Sequence, residues 1–125
     1  SSAASDVYKR QSDESLTWNQ IYEALAEALG VELHAYHVAS DFLASCSNYD
    51  LTGTLLGDKA HSVMFDNTKL KRLVPEFVAT KRFDEGIRET VEYILNHPEE
   101  QTEDPEFDKW CDMMIFTLEQ SKKLI

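Results

Sequence analysis

The chain has 125 residues, of which 42% are hydrophobic, and its 23 acidic and 12 basic residues give a net charge of −11 at pH 7. The apolar share, which includes many aromatic residues, allows one compact core and excludes an intrinsically disordered chain. The acidic balance argues against a nucleic-acid-binding protein, which needs a basic surface, and no apolar run reaches the ~20 residues of a membrane-spanning helix.

Residues 1–11, SSAASDVYKRQ, show neither hydrophobic alternation nor a helical face. The segment from Asp6 to Gln11 is what the DNA GAT GTG TAT AAG AGA CAG encodes, which is the transposase end used in sequencing-library adaptors. We therefore predict that residues 1–11 are translated adaptor sequence and not native protein. On this interpretation the native part, residues 12–125, comes from a truncated gene.

Three long helices are predicted from their caps and apolar stripes. The first follows Thr17, which can form a capping box with Gln20, and it ends at Gly30. The second runs through RFDEGIRETVEYILNHPEE and is ended by Pro98, and the third begins after Asp104. Two shorter helical stretches, DFLASC and TKLKRL, are predicted between the first and second long helices.

Three short segments are predicted to be strands. They are residues 33–38, residues 61–65 (HSVMF) and residues 76–79 (EFVA). The stretch 47–59, which is punctuated by glycines, indicates no particular element. Three short strands cannot form a large sheet, so we predict a helix-rich α/β fold whose few strands attach to another structure.

Histidine and cysteine spacing indicates no metal site. His34 and His37 lie on opposite faces of the predicted strand because their separation is odd, so we do not expect them to share a metal with His61. Cys46 and Cys111 are far apart and in no metal-binding spacing. They are predicted to be buried or semi-buried free thiols in a reducing cytosol. Together with the lack of a signal peptide or membrane segment, this predicts a cytoplasmic protein.

The last predicted helix carries two further features. Its acidic residues, among them Asp108 and Asp112, are expected to form a solvated face and not an acid–base pair. Phe116 falls off the apolar stripe of this helix, and we expect it to be an exposed interface residue.

Several short motifs follow one another in a recognisable order. The segment T-W-x-x-I-x-x-x-L-x-x-x-L-G opens the first helix, and after it come Gly57-Asp58, Asp66-x-Thr68-Lys69, Leu73-x-Pro75 and Phe83-x-Glu85-Gly86-Ile87. Over residues 12 to 97 this order resembles the C-terminal lobe of the NAD-dependent epimerase/dehydratase family, the extended short-chain dehydrogenases/reductases. In that family a pattern G-D … D-x-[ST]-K … L-G-[WF]-x-P … [FL]-x-E-G-[IL] closes the chain.

The resemblance implies a substrate-binding lobe. In this family a larger N-terminal Rossmann lobe holds NAD(P), and a Tyr-x-x-x-Lys pair with a lowered tyrosine pKa moves a proton and a hydride. The present sequence contains neither a glycine-rich phosphate-binding motif nor a Tyr-x-x-x-Lys. We therefore expect residues 12–125 to be inactive alone, with the missing Rossmann lobe as their partner and NAD(P) as the cofactor of the whole enzyme.

The resemblance also implies where the substrate would bind. Many members that act on nucleotide sugars have an Arg three residues before the Asp of the Gly-Asp motif, whereas Leu55 stands at that position here. An aliphatic side chain cannot hold a diphosphate, which argues against a nucleotide-diphosphate sugar. The candidate substrate-binding residues are Asp58, Lys59 and His61, for a small-molecule substrate such as a sugar, with Lys59 or His61 as a substitute for the Arg.

Two other functions stay open. The chain can be a small stand-alone α/β binding or interaction module that shares the motif order, or a small stand-alone enzyme. No nucleophile–base or metal-ligand spacing supports the enzyme. The helix that begins at Pro105 extends past the last family motif, and we expect only a packing role for it.

Overall fold

Helices make up all of the regular structure in the part of the protein that the computed structural model describes, residues 13–124. Of these described residues 60% are helical, so this part of the protein belongs to the small all-helical class. In chain order the elements are α1 (Trp18–Leu29), α2 (Ser40–Ser45), a π-helix (Thr52–Lys59), α3 (Thr68–Leu73), α4 (Phe83–Asn96), a short 3₁₀ turn (Pro98–Glu100) and α5 (Pro105–Lys122).

The predicted α/β fold with a few short strands is wrong, because residues 13–124 contain no strand. The three segments predicted to be strands are irregular. A strand is stable only where its backbone groups pair with a neighbouring strand and one of its faces is buried. The apolar residues of the second segment, Val63, Met64 and Phe65, are all exposed, so their pattern does not mark the inner face of a sheet.

The chain divides into two units, each built from two separate stretches. Unit 1 comprises the described residues up to 33 together with residues 63–98, and unit 2 comprises residues 34–62 together with those from 99 onward. Helices α1, α3 and α4 belong to unit 1, whereas α2, the π-helix and α5 belong to unit 2. Residues 1–11, predicted to be adaptor sequence, lie outside the described residues.

Helix α1 begins and ends where the sequence predicts. The backbone N–H of Gln20 donates to Thr17 Oγ1 at 3.2 Å, and the backbone N–H of Thr17 donates to Gln20 Oε1 at 2.8 Å, which completes the capping box. Gly30 then adopts φ = 70°, a left-handed conformation that an L side chain strains, and its N–H closes the last turn.

The small core of unit 1 draws on all three of its helices. Helix α1 packs against α4. The hydrophobic residues that are buried in the described chain are Ala26 of α1, Leu70 of α3 and Val91 of α4. Each of the three helices of the unit thus contributes one buried hydrophobic side chain.

Unit 2 combines one predicted helix with one unexpected element. Helix α5 begins as predicted, because Asp104 Oδ1 accepts the N–H of Phe107 at 3.1 Å and Pro105 occupies the first helical position. The π-helix occupies a stretch for which the sequence predicts no regular element, and it packs against α2. Long π-helices are rare, so local sequence patterns give little guidance to them.

Candidate functional site

The three predicted substrate-binding residues lie together at the end of the π-helix. Asp58 and Lys59 are its last two residues, and His61 follows after one intervening residue. All three side chains are exposed. The structure thus places a carboxylate, an ammonium and an imidazole within four positions of one another on the surface of unit 2.

Leu55, which replaces the Arg of many nucleotide-sugar enzymes in the motif comparison, also lies in the π-helix. It is half-buried, and its backbone N–H donates to the carbonyl of Leu51 at 2.8 Å. A half-buried aliphatic side chain offers no hydrogen-bond donor to a phosphate group. Lys59 and His61, which follow Leu55 by four and six positions, carry side-chain nitrogen groups that can donate hydrogen bonds.

A second cluster, which sequence analysis missed, ties the segment before α1 to α3. Asp13 accepts a hydrogen bond from Lys71 Nζ at 2.9 Å on one carboxylate oxygen and from Asn67 Nδ2 at 3.1 Å on the other. The hydrogen bond from Lys71, followed by that from Asn67, holds the pKa of Asp13 below its usual range. The contacts join residues more than fifty positions apart, so no local sequence pattern signals them.

Glu14 makes the matching connection to α4. Its Oε2 accepts the backbone N–H of Phe83 at 2.9 Å, and its Oε1 lies 3.4 Å from Arg82 Nη2. Arg82, the residue at the N-cap of α4, makes no capping hydrogen bond with its own side chain. Glu14 therefore supplies the cap from a distant part of the chain, and its charge suits the positive end of the helix dipole.

Two shallow grooves flank this polar cluster in unit 1. The larger, of about 490 Å³, runs along the start of α4, and the smaller, of about 180 Å³, lies between the Asp13–Glu14 segment and the residues before α4. Both are lined by Lys81 and Arg82. These cations are paired with acidic groups, Lys81 with Glu89 and Arg82 with Glu14 and Asp84, so the grooves offer no uncompensated positive charge to an anion.

A tyrosine–lysine pair in unit 2 is arranged for packing and not for proton transfer. Tyr36 Oη donates to Glu119 Oε1 at 2.6 Å, Lys122 Nζ donates to the same oxygen at 3.0 Å, and Lys122 lies 5.2 Å from the centre of the Tyr36 ring. The hydrogen bond to Glu119 raises the pKa of Tyr36, and the same bond lowers the pKa of Glu119. A tyrosine that acts as a general acid or base near neutral pH needs the opposite shift.

Residues 13–124 can be compared with what a dinucleotide and a metal ion each require. A dinucleotide site needs a glycine-rich turn between a strand and a helix, and residues 13–124 hold no strand, so they do not fit NAD(P). Within the same residues no three or more His, Cys, Asp or Glu side chains are grouped so that they could hold a metal ion. Asp58, Lys59 and His61, exposed at the end of the π-helix, stay the candidate substrate-binding residues.

The exposed residues of α5 agree with one further expectation. Phe116 is 65% exposed, as its position off the apolar stripe predicted. Burial, together with the nearby Asp108 and Asp112, raises the pKa of the Cys111 thiol. The acidic residues of this helix thus act on a neighbouring thiol through their charge. Both cysteines are free, and Cys111 is half-buried as expected, whereas Cys46 is exposed, so the prediction that it is buried or semi-buried is wrong.

Comparisons with known proteins add nothing to this geometry. No family model matches the chain, and neither the curated proteins nor the solved structures contain a match. Among the helices of residues 13–124, none combines the length and the apolar character that crossing a membrane requires.

Proposed function

We propose that residues 12–125 are the substrate-binding C-terminal part of an NAD(P)-dependent epimerase, dehydratase or reductase of the extended short-chain type. The observation that carries this proposal is the composition of the unit 1 core. The three family motifs that open α1, α3 and α4 lie far apart in sequence, yet each leads into a helix that contributes one buried residue, namely Ala26, Leu70 and Val91.

The contacts ahead of α1 support the same interpretation. Asp13 and Glu14, which precede the T-W motif, bind the D-x-T-K helix and the start of the F-x-E-G-I helix. These contacts tie the segments that carry the three motifs together within unit 1, as a single substrate-binding lobe requires.

Exposed apolar side chains on α1 favour a macromolecular partner. Trp18, Tyr22 and Leu29 are 56%, 51% and 45% exposed, and their spacing places them along one side of the helix. A domain that works by itself rarely leaves a row of large apolar side chains in water. We assign this row to the docking of the missing Rossmann lobe, which would bring NAD(P) and the Tyr-x-x-x-Lys pair.

The proposed chain contributes substrate contacts and no catalytic group. Asp58 and Lys59 would bind hydroxyl or carbonyl oxygens of a small molecule such as a sugar, and His61 would add a hydrogen bond. Leu55 argues against a diphosphate in that substrate. Proton and hydride transfer would be carried out by the partner lobe, so we expect no activity from this chain alone.

We further propose a cytoplasmic location. Its support is that both cysteines, Cys46 and Cys111, are free, which is the usual state of thiols in a reducing compartment.

Reading the genomic DNA that encodes residue 12 and its upstream sequence tests the proposal. We expect a continuous frame that encodes a glycine-rich βαβ unit and a Tyr-x-x-x-Lys. A start codon with a ribosome-binding site immediately before residue 12 would overturn the proposal. It would favour a stand-alone helical binding or interaction module, the second candidate, for which the same exposed row on α1 would be the binding surface.

The substrate assignment has its own experiment. The complete enzyme is screened by thermal shift against simple keto and hydroxy compounds, free sugars and nucleotide sugars, with Lys59→Met and the control Lys109→Met. We expect a shift with a non-nucleotide compound that Lys59→Met weakens and Lys109→Met leaves unchanged. A shift with nucleotide sugars alone would refute the argument from Leu55.

A further inference from the structure

Helix α5 lies outside the stretch that resembles the enzyme family, so the proposed function leaves it without a role. It is nevertheless the longest helix of the described chain. Along one side it carries half-buried residues, namely Trp110, Cys111, Met114, Leu118 and Glu119. These residues point to a specific packing partner within unit 2.

The partner is the stretch 36–49, which α5 contacts near both of its ends. Near its start, Trp110 Nε1 donates to the carbonyl oxygen of Cys46 at 3.1 Å. Near its end, Glu119 accepts the hydroxyl of Tyr36 at 2.6 Å. Trp110 and Glu119 are nine residues apart, which is ~14 Å along a helix, so α5 holds this stretch at two well-separated points.

An aromatic contact strengthens the end near Trp110. The ring of Tyr49 lies edge-on to Phe107, with centroids 5.4 Å apart, and edge-on to Trp110 at 6.1 Å. Edge-to-face pairs at these distances are favourable. The hydrogen bond to Cys46 and the rings around Tyr49 therefore fix the chain on the C-terminal side of α2.

The held stretch in turn supports the π-helix. Cys46 is the C-cap residue of α2, and α2 packs against the π-helix. The π-helix has no side-chain cap and contains Gly53 and Gly57, two residues with low helix propensity. A helix of eight residues with such a sequence does not hold its conformation by itself, so it depends on its neighbours.

We propose that α5 is a brace that fixes the π-helix, and with it the positions of Asp58 and Lys59, through Trp110 and Glu119 as positioning residues. The mechanical part of this proposal stands on the contacts alone. Only the functional consequence, that Asp58 and Lys59 are held in place for a substrate, rests on the proposed function.

Hydrogen–deuterium exchange of the full chain without ligand tests the brace. Trp110→Phe keeps an aromatic ring but removes the donor to Cys46, and Trp18→Phe in unit 1 is the matched control. We expect amides of residues 52–59 to exchange about fivefold faster in Trp110→Phe, as the loss of one hydrogen bond predicts. Exchange in α1 and α4 should stay unchanged, and the control should match the unsubstituted chain at residues 52–59.

Two variants of Glu119, near the C-terminal end of α5, distinguish a positioning role of this residue from an effect on the general stability of the protein. Glu119→Leu removes the acceptor of the Tyr36 hydroxyl, whereas Glu119→Gln keeps an acceptor oxygen at a similar place. We expect faster exchange at residues 52–59 in Glu119→Leu and recovery of most of the protection in Glu119→Gln. If both variants behave alike, the hydrogen bond has no positioning role, and the assignment of Glu119 as a positioning residue is wrong.

The proposal stays testable if Trp110→Phe loses helical structure by circular dichroism. The decision then rests on Tyr36→Phe, which removes a single hydroxyl group and leaves the ring in place. Faster exchange at residues 52–59 supports the brace, and unchanged exchange overturns it. Because no ligand or partner lobe is present in these measurements, failure of the proposed enzyme function leaves their outcome unaffected.

Discussion

The carboxylate of Glu14 accepts the first backbone N–H of α4, that of Phe83, from 69 positions away in the chain, at 2.9 Å. Helix caps are usually supplied by the residue immediately before the helix. Here Arg82 occupies that place without capping, and a residue ahead of α1 supplies the missing acceptor. The start of α4 therefore depends on the segment before α1.

Replacement of Glu14 by alanine should reduce the stability of unit 1. The substitution leaves the N–H of Phe83 without its acceptor and removes a charge that suits the helix dipole. We expect a loss of ~1–2 kcal/mol in the free energy of unfolding, measured by urea denaturation. The control Glu23→Ala, on an exposed position of α1, should change it by less than about 0.5 kcal/mol. Equal effects of the two substitutions would show that the cap does not stabilise the unit.

The contribution of Asp13 should depend on pH in a defined direction. Hydrogen bonds from Lys71 and Asn67 lower the pKa of Asp13 in the folded protein. The stabilisation is therefore present above the carboxyl group's unfolded pKa of ~3.9 and is lost as the pH falls through the lower folded value. Urea midpoints measured between neutral pH and the acid range should show that Asp13→Asn is less stable at neutral pH and converges with the unsubstituted chain in acid.

Asp50→Asn provides the comparison for that series. Asp50 lies on an exposed position of unit 2. We expect its midpoint to follow that of the unsubstituted chain at every pH. A gap for Asp13→Asn that stays constant down to the lowest pH would contradict the ionic origin of the effect.

The core of unit 1 can be tested within a single short helix. Leu70 and Leu73 both lie in α3, but Leu70 is 7% exposed and Leu73 is 52% exposed. We expect Leu70→Ala to cost ~2–4 kcal/mol of unfolding free energy, because it removes buried methyl groups and leaves a cavity. Leu73→Ala should cost less than about 1 kcal/mol. Similar costs at the two positions would show that α3 is not packed as described.

The exposed row on α1 should bind apolar probes. Trp18 and Tyr22 lie with ring centroids 6.2 Å apart on this row. The double variant Trp18→Gln/Tyr22→Gln should lower the fluorescence of bound anilinonaphthalene sulfonate and leave the helical circular dichroism signal unchanged. Glu23→Gln, on the same helix, should change neither signal. Undiminished probe binding in the double variant would place the docking surface elsewhere.

Helix boundaries were the part of the fold that local sequence could predict. The capping box of Thr17 and Gln20, the turn at Gly30 and the Asp104-Pro105 start of α5 each depend on residues a few positions apart. Such signals act within one turn of helix, so they are visible in a single sequence.

The strand predictions failed because a short segment forms a strand only where its backbone groups pair with a neighbouring strand. Residues 33–38 form an irregular stretch, and residues 13–124 contain no strand with which they could pair. The π-helix was missed because so rare an element has no established local sequence pattern, and in the structure it packs against α2. Asp13 and Glu14 were missed because their partners lie across the chain.

The two contacts that join α5 to the stretch 36–49 also set an order for folding during synthesis. Cys46 and Tyr36 lie 64 and 83 positions before their partners, Trp110 and Glu119. A ribosome therefore exposes residues 34–62 long before it makes the helix that holds them, and closing so long a loop is slow. A chain that stops before Pro105 lacks α5, and we expect residues 34–62 to lose their fixed conformation as well.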